Sequence, residues 1–137
     1  MKSGIGWSSW GRKGGVVCEV ADLAKAAGLR GILYPQAGFY IDTIGSAVRV
    51  AKLANRDNVG VMFNLCHFLK VEPKSNLHKT LENAGDLLWR ISTCGADIDG
   101  KDWNSLIQAL DQGSFDQGSF LSTLRKLRFS GDIGLQC

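Results

Sequence analysis

The segment GVMFNLCHFL, residues 60–69, changes abruptly from apolar to polar. Residues 59–63 form a short, continuous apolar run, which is typical of a strand that is buried on both faces. Directly after this run come Asn64, Cys66 and His67, whose side chains can bind a metal ion, a sugar or a proton. The end of a strand is also where parallel α/β sheets build their ligand sites.

Strand-like and helix-like patterns alternate along the rest of the chain. The first two strand-to-strand intervals are each about 28 residues, the length of one strand–helix–strand crossover. Near-continuous apolar strands separated by amphipathic helices predict a parallel sheet covered by helices. The predicted strands are residues 31–34, 59–63, 87–91 and 133–136.

Side chains that can accept hydrogen bonds from free backbone N–H groups mark the predicted helix starts. These candidate caps are Asp42 or Thr43, Ser75, Asp102 and Asp116. The first helix is predicted from Val16 to residue 27, and Gly28 ends it where a left-handed residue is favoured. Residues 1–15 are rich in Gly, Ser and Trp and have no period. We therefore expect a loop or an ordered tail over residues 1–15 and one domain over residues 16–137.

Two α/β architectures fit four strands of this kind. One is half of a (β/α)8 TIM barrel, a fold that needs roughly 250 residues when complete. The other is a small doubly wound parallel sheet. Both folds bind ligands at the carboxyl ends of their strands, so the predicted position of the site is the same in either case.

Composition and charge exclude several classes of protein. The chain has 137 residues, of which 45% are apolar and 21% charged, as in an ordinary globular domain. Its net charge of +3 comes from scattered Lys and Arg, so nucleic-acid binding is not expected. The sequence contains neither an apolar run long enough for a membrane span nor the apolar core of a signal peptide. The four cysteines form no CxxC pair, which predicts reduced thiols and a cytoplasmic location.

Polar side chains follow every predicted strand, and their hydrogen-bonding groups suit sugar hydroxyls. His67 is the most specific of them, because a neutral imidazole is a common metal ligand and a proton carrier near pH 7. A histidine after a strand can equally be a structural, hydrogen-bonded residue. The set includes Tyr34, Gln36, Asn64, Cys66, His67, Lys70, Glu72, Asp97, Asp99 and Gln136.

Four stretches together resemble one family, the sugar phosphate isomerase/epimerase proteins, which are xylose isomerase-like TIM barrels and include the endonuclease IV group. In that superfamily the strand of GVMFNLCHFL typically ends Asp-x-x-His, and here the frame is Asn64-Leu65-Cys66-His67. The other three stretches are GLRGILYPQAGFY, STCGADIDGKDWNSLIQALDQGSFD and FSGDIGLQC. In relatives the last of these resembles G-x-I-x-L-E, with Gln136 in the place of the Glu.

The resemblance implies the C-terminal half of a barrel that acts on a sugar or sugar phosphate by proton transfer next to a carbonyl. It also implies a divalent metal (Mn, Mg, Co or Zn) bound by His67 and Asn64, and substrate contacts from Tyr34, Gln36, Asn64 and Gln136. Nucleic acids and membranes are not expected partners. The open edges of a half-barrel are expected to favour dimerisation.

The departures from the family pattern leave two functions open. Tyr34, Asn64 and Gln136 stand where the family has a Glu, an Asp and a Glu, so about three negative charges are missing from the metal site. An amide cannot abstract a proton. Either Glu72 or Asp97 (or Asp99) supplies the base of an active isomerase or epimerase, or the chain is a non-catalytic carbohydrate-binding barrel. A small doubly wound domain that works through protein contacts is a third alternative.

Overall fold

Four parallel strands form one sheet in the order β1-β2-β3-β4. The computed structural model describes residues 7–136, and side chains from residue 14 onward. Strand order follows chain order, and crossovers of a single hand then place the crossover helices on one face of the sheet. A doubly wound sheet needs a reversal of strand order, so that alternative is wrong. The strands are Gly31–Leu33 (β1), Val59–Asn64 (β2), Leu88–Thr93 (β3) and Asp132–Leu135 (β4).

Six α-helices and two 3-10 turns connect and flank these strands within the described residues. The predicted caps Thr43, Asp102 and Asp116 are confirmed, because each side chain accepts a hydrogen bond from the backbone three residues later. The predicted cap Ser75 is wrong, since it lies inside a 3-10 turn. The helices are Trp7–Ala26 (α1), Ile44–Ala54 (α2), Leu65–Val71 (α3), Leu77–Ala84 (α4), Trp103–Leu106 (α5) and Gln117–Lys126 (α6). None of them is long and apolar enough to cross a membrane.

Two helices depart from the sequence-based prediction. α1 begins at Trp7, so the loop expected through residue 15 is wrong for residues 7–15, while residues 1–6 lie outside the described part. α1 packs closely along α2, with the position of a Cβ on Gly14 only 3.7 Å from Cβ of Leu53, and such packing outweighs the weak helix propensity of glycine. α3 follows β2 directly, at a place where no helix was predicted.

The two faces of the sheet have different roles. Val59, Val61 and Phe63 of β2 point into the helix layer and are buried in the main core. Alternation along the strand therefore puts Met62 and Asn64 on the opposite face. In the register of β2 with β3, Asn64 lies opposite Ser92, at the carboxyl end of both strands. The inner face of the sheet thus ends in polar groups at the position predicted for the site.

Candidate functional site

Three polar side chains from three different strand ends meet at one point. Nδ2 of Asn64, the last residue of β2, donates a hydrogen bond to the Tyr34 hydroxyl at 2.7 Å. It donates a second one to Oε1 of Gln136 at 2.6 Å. Tyr34 directly follows β1 and Gln136 directly follows β4. The structure brings together three of the four predicted substrate contacts, and we call these three residues the amide cluster. Their role in binding stays a prediction.

Asn64 is held rigidly because its amide oxygen is also occupied. Oδ1 accepts hydrogen bonds from the backbone N–H of Cys66 at 3.1 Å and from the Cys66 thiol at 2.9 Å. The first of these bonds caps the N-terminus of α3. Asn64 is 3% exposed, so losing any of these partners would leave a buried polar group unsatisfied. One side chain therefore starts a helix and orients the site.

His67 lies in the first turns of α3, beside the amide cluster. Its Nδ1 accepts a hydrogen bond from the backbone N–H of Ala37 at 3.1 Å. A ring nitrogen that accepts has no proton, so the neutral imidazole carries its proton on Nε2. Burial also lowers the pKa of His67, which favours this neutral form. Nε2 of His67, on the side of the ring away from Ala37, is thus a hydrogen-bond donor.

The residues at the amide cluster do not fit a divalent metal ion. A histidine that ligates through Nε2 needs a lone pair there, and it normally donates from its other ring nitrogen, whereas His67 accepts at Nδ1. Burial raises the pKa of the Tyr34 phenol, so it stays neutral. Asn64 is the second predicted ligand, but its amide oxygen already accepts two hydrogen bonds from Cys66. Within the described part of the chain, no three His, Cys, Asp or Glu residues are placed to hold a metal.

Two buried cysteines pack next to the amide cluster. Cys66 and Cys94 are free thiols that pack together with Leu106 in a small satellite core. The hydrogen bond with Cys94 and burial raise the pKa of the Cys66 thiol, which therefore remains protonated and can donate to Asn64. Cys137, the remaining cysteine near a strand end, lies outside the described residues.

An aromatic wall stands beside His67. The ring of Trp103 is edge-on to His67 with centroids 5.2 Å apart, and the Tyr34 ring lies 5.7 Å from His67 on another side. Trp103 is 41% exposed, so part of its ring is accessible. Nζ of Lys70 lies 5.4 Å from the Trp103 ring and donates a hydrogen bond to the carbonyl oxygen of Lys101. The Asp102 cap, which starts α5 within the segment that follows β3, was the sequence signal that could have placed Trp103 at the site.

The remaining predicted site residues make their hydrogen bonds outside the amide cluster. Glu72 ends α3, and Thr80 donates to its Oε2 at 3.4 Å. Asp97 accepts hydrogen bonds from the Gln108 side chain and from the backbone of Ser114, both at 3.1 Å, so both its oxygens hold the loop after β3. The backbone of Gln36 closes a turn with residues 39 and 41. The catalytic roles of Glu72 and Asp97 stay predictions.

Comparison with known proteins identifies the fold. No protein-family model matches the sequence, and no curated protein is similar to it. A structure of L-ribulose 3-epimerase superposes with a TM-score of 0.76 and 15% identity, over 99% of this chain and 43% of that chain. The chain has the fold of part of a xylose isomerase-like TIM barrel. This agrees with the strand order and confirms the predicted partial barrel, while its place in the C-terminal half remains a prediction.

Two further solved structures share this partial xylose isomerase-like barrel. D-psicose 3-epimerase from Clostridium cellulolyticum H10, solved with D-tagatose, has a TM-score of 0.71 and 21% identity, over 92% of this chain and 41% of that chain. The IolI protein with a zinc atom bound has a TM-score of 0.72 and 23% identity, over 90% of this chain and 45% of that chain. This chain spans less than half the length of each of these structures.

Proposed function

We propose that this chain is a sugar isomerase/epimerase-like barrel protein whose site binds a sugar or sugar phosphate through uncharged hydrogen-bonding groups. The amide cluster of Tyr34, Asn64 and Gln136 carries this proposal, because three strand ends converge there on one buried amide. Structures of sugar epimerases share the fold, which supports a sugar as the ligand class. The same similarity supports a position of the ligand at the carboxyl ends of the strands.

The hydrogen-bonding capacity of the amide cluster matches a polyhydroxyl ligand. Gln136 uses its oxygen to accept from Asn64, which leaves its two N–H donors for a ligand. Tyr34 accepts at its hydroxyl oxygen, so its proton can be donated onward. His67 adds the Nε2 proton that its bond with Ala37 requires. Sugar hydroxyls accept and donate in turn, and none of these groups needs a charged partner.

The aromatic wall supplies the apolar half of the proposed sugar site. The C–H faces of sugars pack against aromatic rings, and Trp103 offers a partly exposed ring beside His67. Lys70, next to that ring, is a cation that can pair with the phosphate of a sugar phosphate. Replacing Lys70 by Met therefore separates the two substrate classes, since only binding of a phosphorylated sugar depends on the charge.

A second candidate function is catalysis by proton transfer next to a carbonyl, with Glu72 as the base. Burial raises the pKa of Glu72, which brings a carboxylate closer to the strength needed by a general base near neutral pH. Its Oε1 is buried without a hydrogen-bond partner in the described structure, and the residue lines a small cavity with Asn64 and His67. Asp97 is the weaker candidate because both its oxygens already accept hydrogen bonds. No step through a metal ion is proposed.

Calorimetric titration with ketoses tests the binding proposal. D-psicose, D-tagatose and D-fructose, each with its phosphorylated counterpart, are titrated into the wild-type chain and into the Gln136→Leu variant. We expect binding by the wild type and a loss of about tenfold or more in the variant, since a hydrogen-bonded sugar hydroxyl loses its partner. The exposed Gln112→Leu variant is the matched control. Absence of binding for every sugar, or equal binding by Gln136→Leu, contradicts the proposal.

Exchange of substrate hydrogen with D2O separates the catalyst from the binding module. Proton transfer next to a carbonyl replaces the carbon-bound hydrogen by deuterium, which proton NMR detects. A catalyst shows this exchange in the wild type and loses it in Glu72→Gln, while sugar binding persists in the variant. Sugar binding without any exchange in the wild type assigns the chain to the non-catalytic class.

A further inference from the structure

The two buried cysteines beside the amide cluster offer no group to the proposed sugar ligand. Cys66 is 0% exposed and Cys94 is 1% exposed, and both pack with Leu106 in the satellite core. Their thiols lie within reach of a hydrogen bond to each other, and neither belongs to a disulfide. Two free thiols in contact are the arrangement from which an intramolecular disulfide can form.

The sheet brings the backbones of the two cysteines side by side. Asn64 of β2 is in register with Ser92 of β3, and each cysteine lies two positions after its member of this pair. Neighbouring strands of a sheet lie about 4.8 Å apart. The Cα atoms of disulfide-bonded cysteines lie about 4.4–6.8 Å apart, so a disulfide at this place needs no rearrangement of the sheet.

Each thiol donates a hydrogen bond that holds one part of the candidate site. The Cys66 thiol donates to Oδ1 of Asn64, the centre of the amide cluster, at 2.9 Å. The Cys94 thiol donates to the carbonyl oxygen of Leu106, the last residue of α5, at 3.3 Å. A disulfide has no S–H hydrogen, so its formation ends both bonds together. Oxidation of this pair would therefore change the amide cluster and the helix that carries Trp103 at the same time.

The short helix α5 is the element whose opening gives an oxidant access to the pair. It has only four residues, Trp103–Leu106, and a single helical turn is not stable by itself. Its last residue, Leu106, packs with both cysteines. Local opening of such a short element costs less free energy than global unfolding. It exposes the thiols to an oxidant as small as hydrogen peroxide.

We propose that Cys66 and Cys94 are a reversible thiol–disulfide pair that changes the hydrogen bonding of the candidate site when hydrogen peroxide oxidises it. The Cys94 thiolate attacks one peroxide oxygen, the O–O bond breaks, and the hydroxide that leaves takes up the thiol proton to form water. The Cys66 sulfur then attacks the resulting sulfenic acid and forms the S–S bond. The displaced hydroxide leaves with the Cys66 proton as a second water. The two thiols are thus oxidised to one disulfide, and one peroxide is reduced to two water molecules.

The unequal acidities of the two thiols set the order of these steps. The contact with Cys66 lowers the pKa of the Cys94 thiol. The contact with Cys94 and burial raise the pKa of the Cys66 thiol. The thiolate is the nucleophile towards an oxidant, so Cys94 reacts first and Cys66 closes the disulfide. This inference does not depend on the proposed sugar binding.

Peptide mapping after peroxide treatment tests the disulfide. The reduced chain is treated with a slight excess of hydrogen peroxide at neutral pH, its remaining thiols are alkylated, and it is digested with trypsin. We expect the peptides of residues 57–70 and 91–101 to be joined, two hydrogens lighter than their sum, with two of the four thiols still free. Dithiothreitol should restore all four thiols. Cys18→Ser is the matched control and should form the same linked pair.

The NMR signal of the Asn64 side-chain amide tests the effect on the site. We expect peroxide to shift this signal in the wild type and dithiothreitol to return it, because Oδ1 loses and regains the Cys66 thiol as a donor. Cys66→Ser keeps a hydroxyl donor at this position but cannot form the disulfide. In Cys66→Ser and in Cys94→Ser, peroxide should leave the Asn64 signal where it is. The dispersion of the same spectrum shows whether each variant is folded.

The wild-type results decide the inference even if a variant does not fold. A folded wild type that forms no link between residues 57–70 and 91–101 overturns the proposed pair. A disulfide that involves Cys18 or Cys137 instead, or sulfinic acid that dithiothreitol does not reverse, overturns it as well. A disulfide between Cys66 and Cys94 that leaves the Asn64 signal unchanged overturns its effect on the site.

Discussion

The Asn64 side chain donates a hydrogen bond of 2.6 Å to Gln136, a residue 72 positions further along the chain. This bond joins the ends of β2 and β4 across β3. Because Asn64 donates through its nitrogen, a carboxylate at position 64 could not make this bond, whereas Gln136 takes part only as an acceptor through its oxygen. The resemblance to sugar isomerases implies carboxylates at both positions, and here the pair is neutral.

Replacing Asn64 by Asp should destabilise the fold at neutral pH. The substitution removes the two donated hydrogen bonds and sets a carboxylate against the oxygen atoms of Tyr34 and Gln136. We expect a loss of about 1–3 kcal/mol in the free energy of unfolding, measured with urea at pH 7. The loss should shrink at acidic pH, where a protonated carboxyl can donate again.

The exposed substitution Gln112→Glu is the control for this experiment. It makes the same replacement of an amide by a carboxylate, but at the surface. The free energy of unfolding of this variant should stay within about 0.5 kcal/mol of the wild-type value. An Asn64→Asp variant as stable as the wild type at pH 7 would show that the amide cluster does not require a donor at this position.

Protonation of His67 should weaken the fold as the pH falls. Burial lowers the pKa of His67, so the unfolded chain takes up the proton first and the free energy of unfolding decreases below about pH 6.5. The imidazolium also cannot accept the hydrogen bond from Ala37. Urea unfolding at several pH values between about 7 and 5 measures this slope, and His67→Gln should remove it.

His78, the other histidine, is exposed on α4 and gives the matched control. His78→Gln should leave the slope in place. If His67→Gln keeps the slope and His78→Gln removes it, the assignment of the buried neutral imidazole to His67 is wrong.

Glu72 should change the free energy of unfolding with pH in the opposite direction to His67. Burial raises its pKa in the folded state, so the folded chain takes up the proton first as the pH falls from 7 and gains stability relative to the unfolded chain. Glu72→Gln should therefore unfold at higher urea concentration than the wild type at pH 7, with the difference disappearing towards pH 4.5. Glu82→Gln, exposed on the neighbouring helix α4, should show neither effect. A Glu72→Gln variant that is less stable at pH 7 would mean that the charge itself is needed.

Gly60 should tolerate no side chain. A Cβ at this position would lie 2.2 Å from Cδ2 of Trp89, so Gly60→Ala forces the indole to move and should cost about 1–3 kcal/mol of unfolding free energy. Trp89→Leu should reduce that cost in the double variant, which a double-mutant cycle measures. Gly45→Ala is the control, because nothing lies within 4 Å of its Cβ position in α2 and the change should be neutral or slightly stabilising. Additive effects of the two changes would contradict the contact.

Local signals were sufficient to predict most of the fold. Caps such as Thr43 and Asp116 bond to backbone only three residues away, so the sequence contains both partners. α3 was missed because a helix of seven residues is too short to be stable alone and depends on packing, such as that of the Phe68 ring 5.3 Å from the ring of Phe63. The start of α1 was missed for the same reason, since contact with α2 stabilises a glycine-rich stretch.

The candidate site was predictable in outline but not in chemistry. Parallel strand ends converge by geometry, which is why Tyr34, Asn64 and Gln136 could be grouped in advance. The protonation of His67 in α3 depends on the backbone of Ala37, which is 30 residues away in the loop after β1, and no local pattern reveals this contact. This one contact decides whether Nε2 of His67 is a hydrogen-bond donor suited to a sugar or a lone pair suited to a metal ion.

Calorimetric titration of a ketose into protein stripped with a chelator tests most directly whether the site works through neutral groups. The titration is repeated with excess Mn2+ or Zn2+ and with the Asn64→Asp/Gln136→Glu double variant, which returns two carboxylates to the site. We expect the wild type to bind the sugar equally well with and without metal, and only the double variant to bind the metal. Sugar binding by the wild type that appears only when a divalent metal is added would contradict the account.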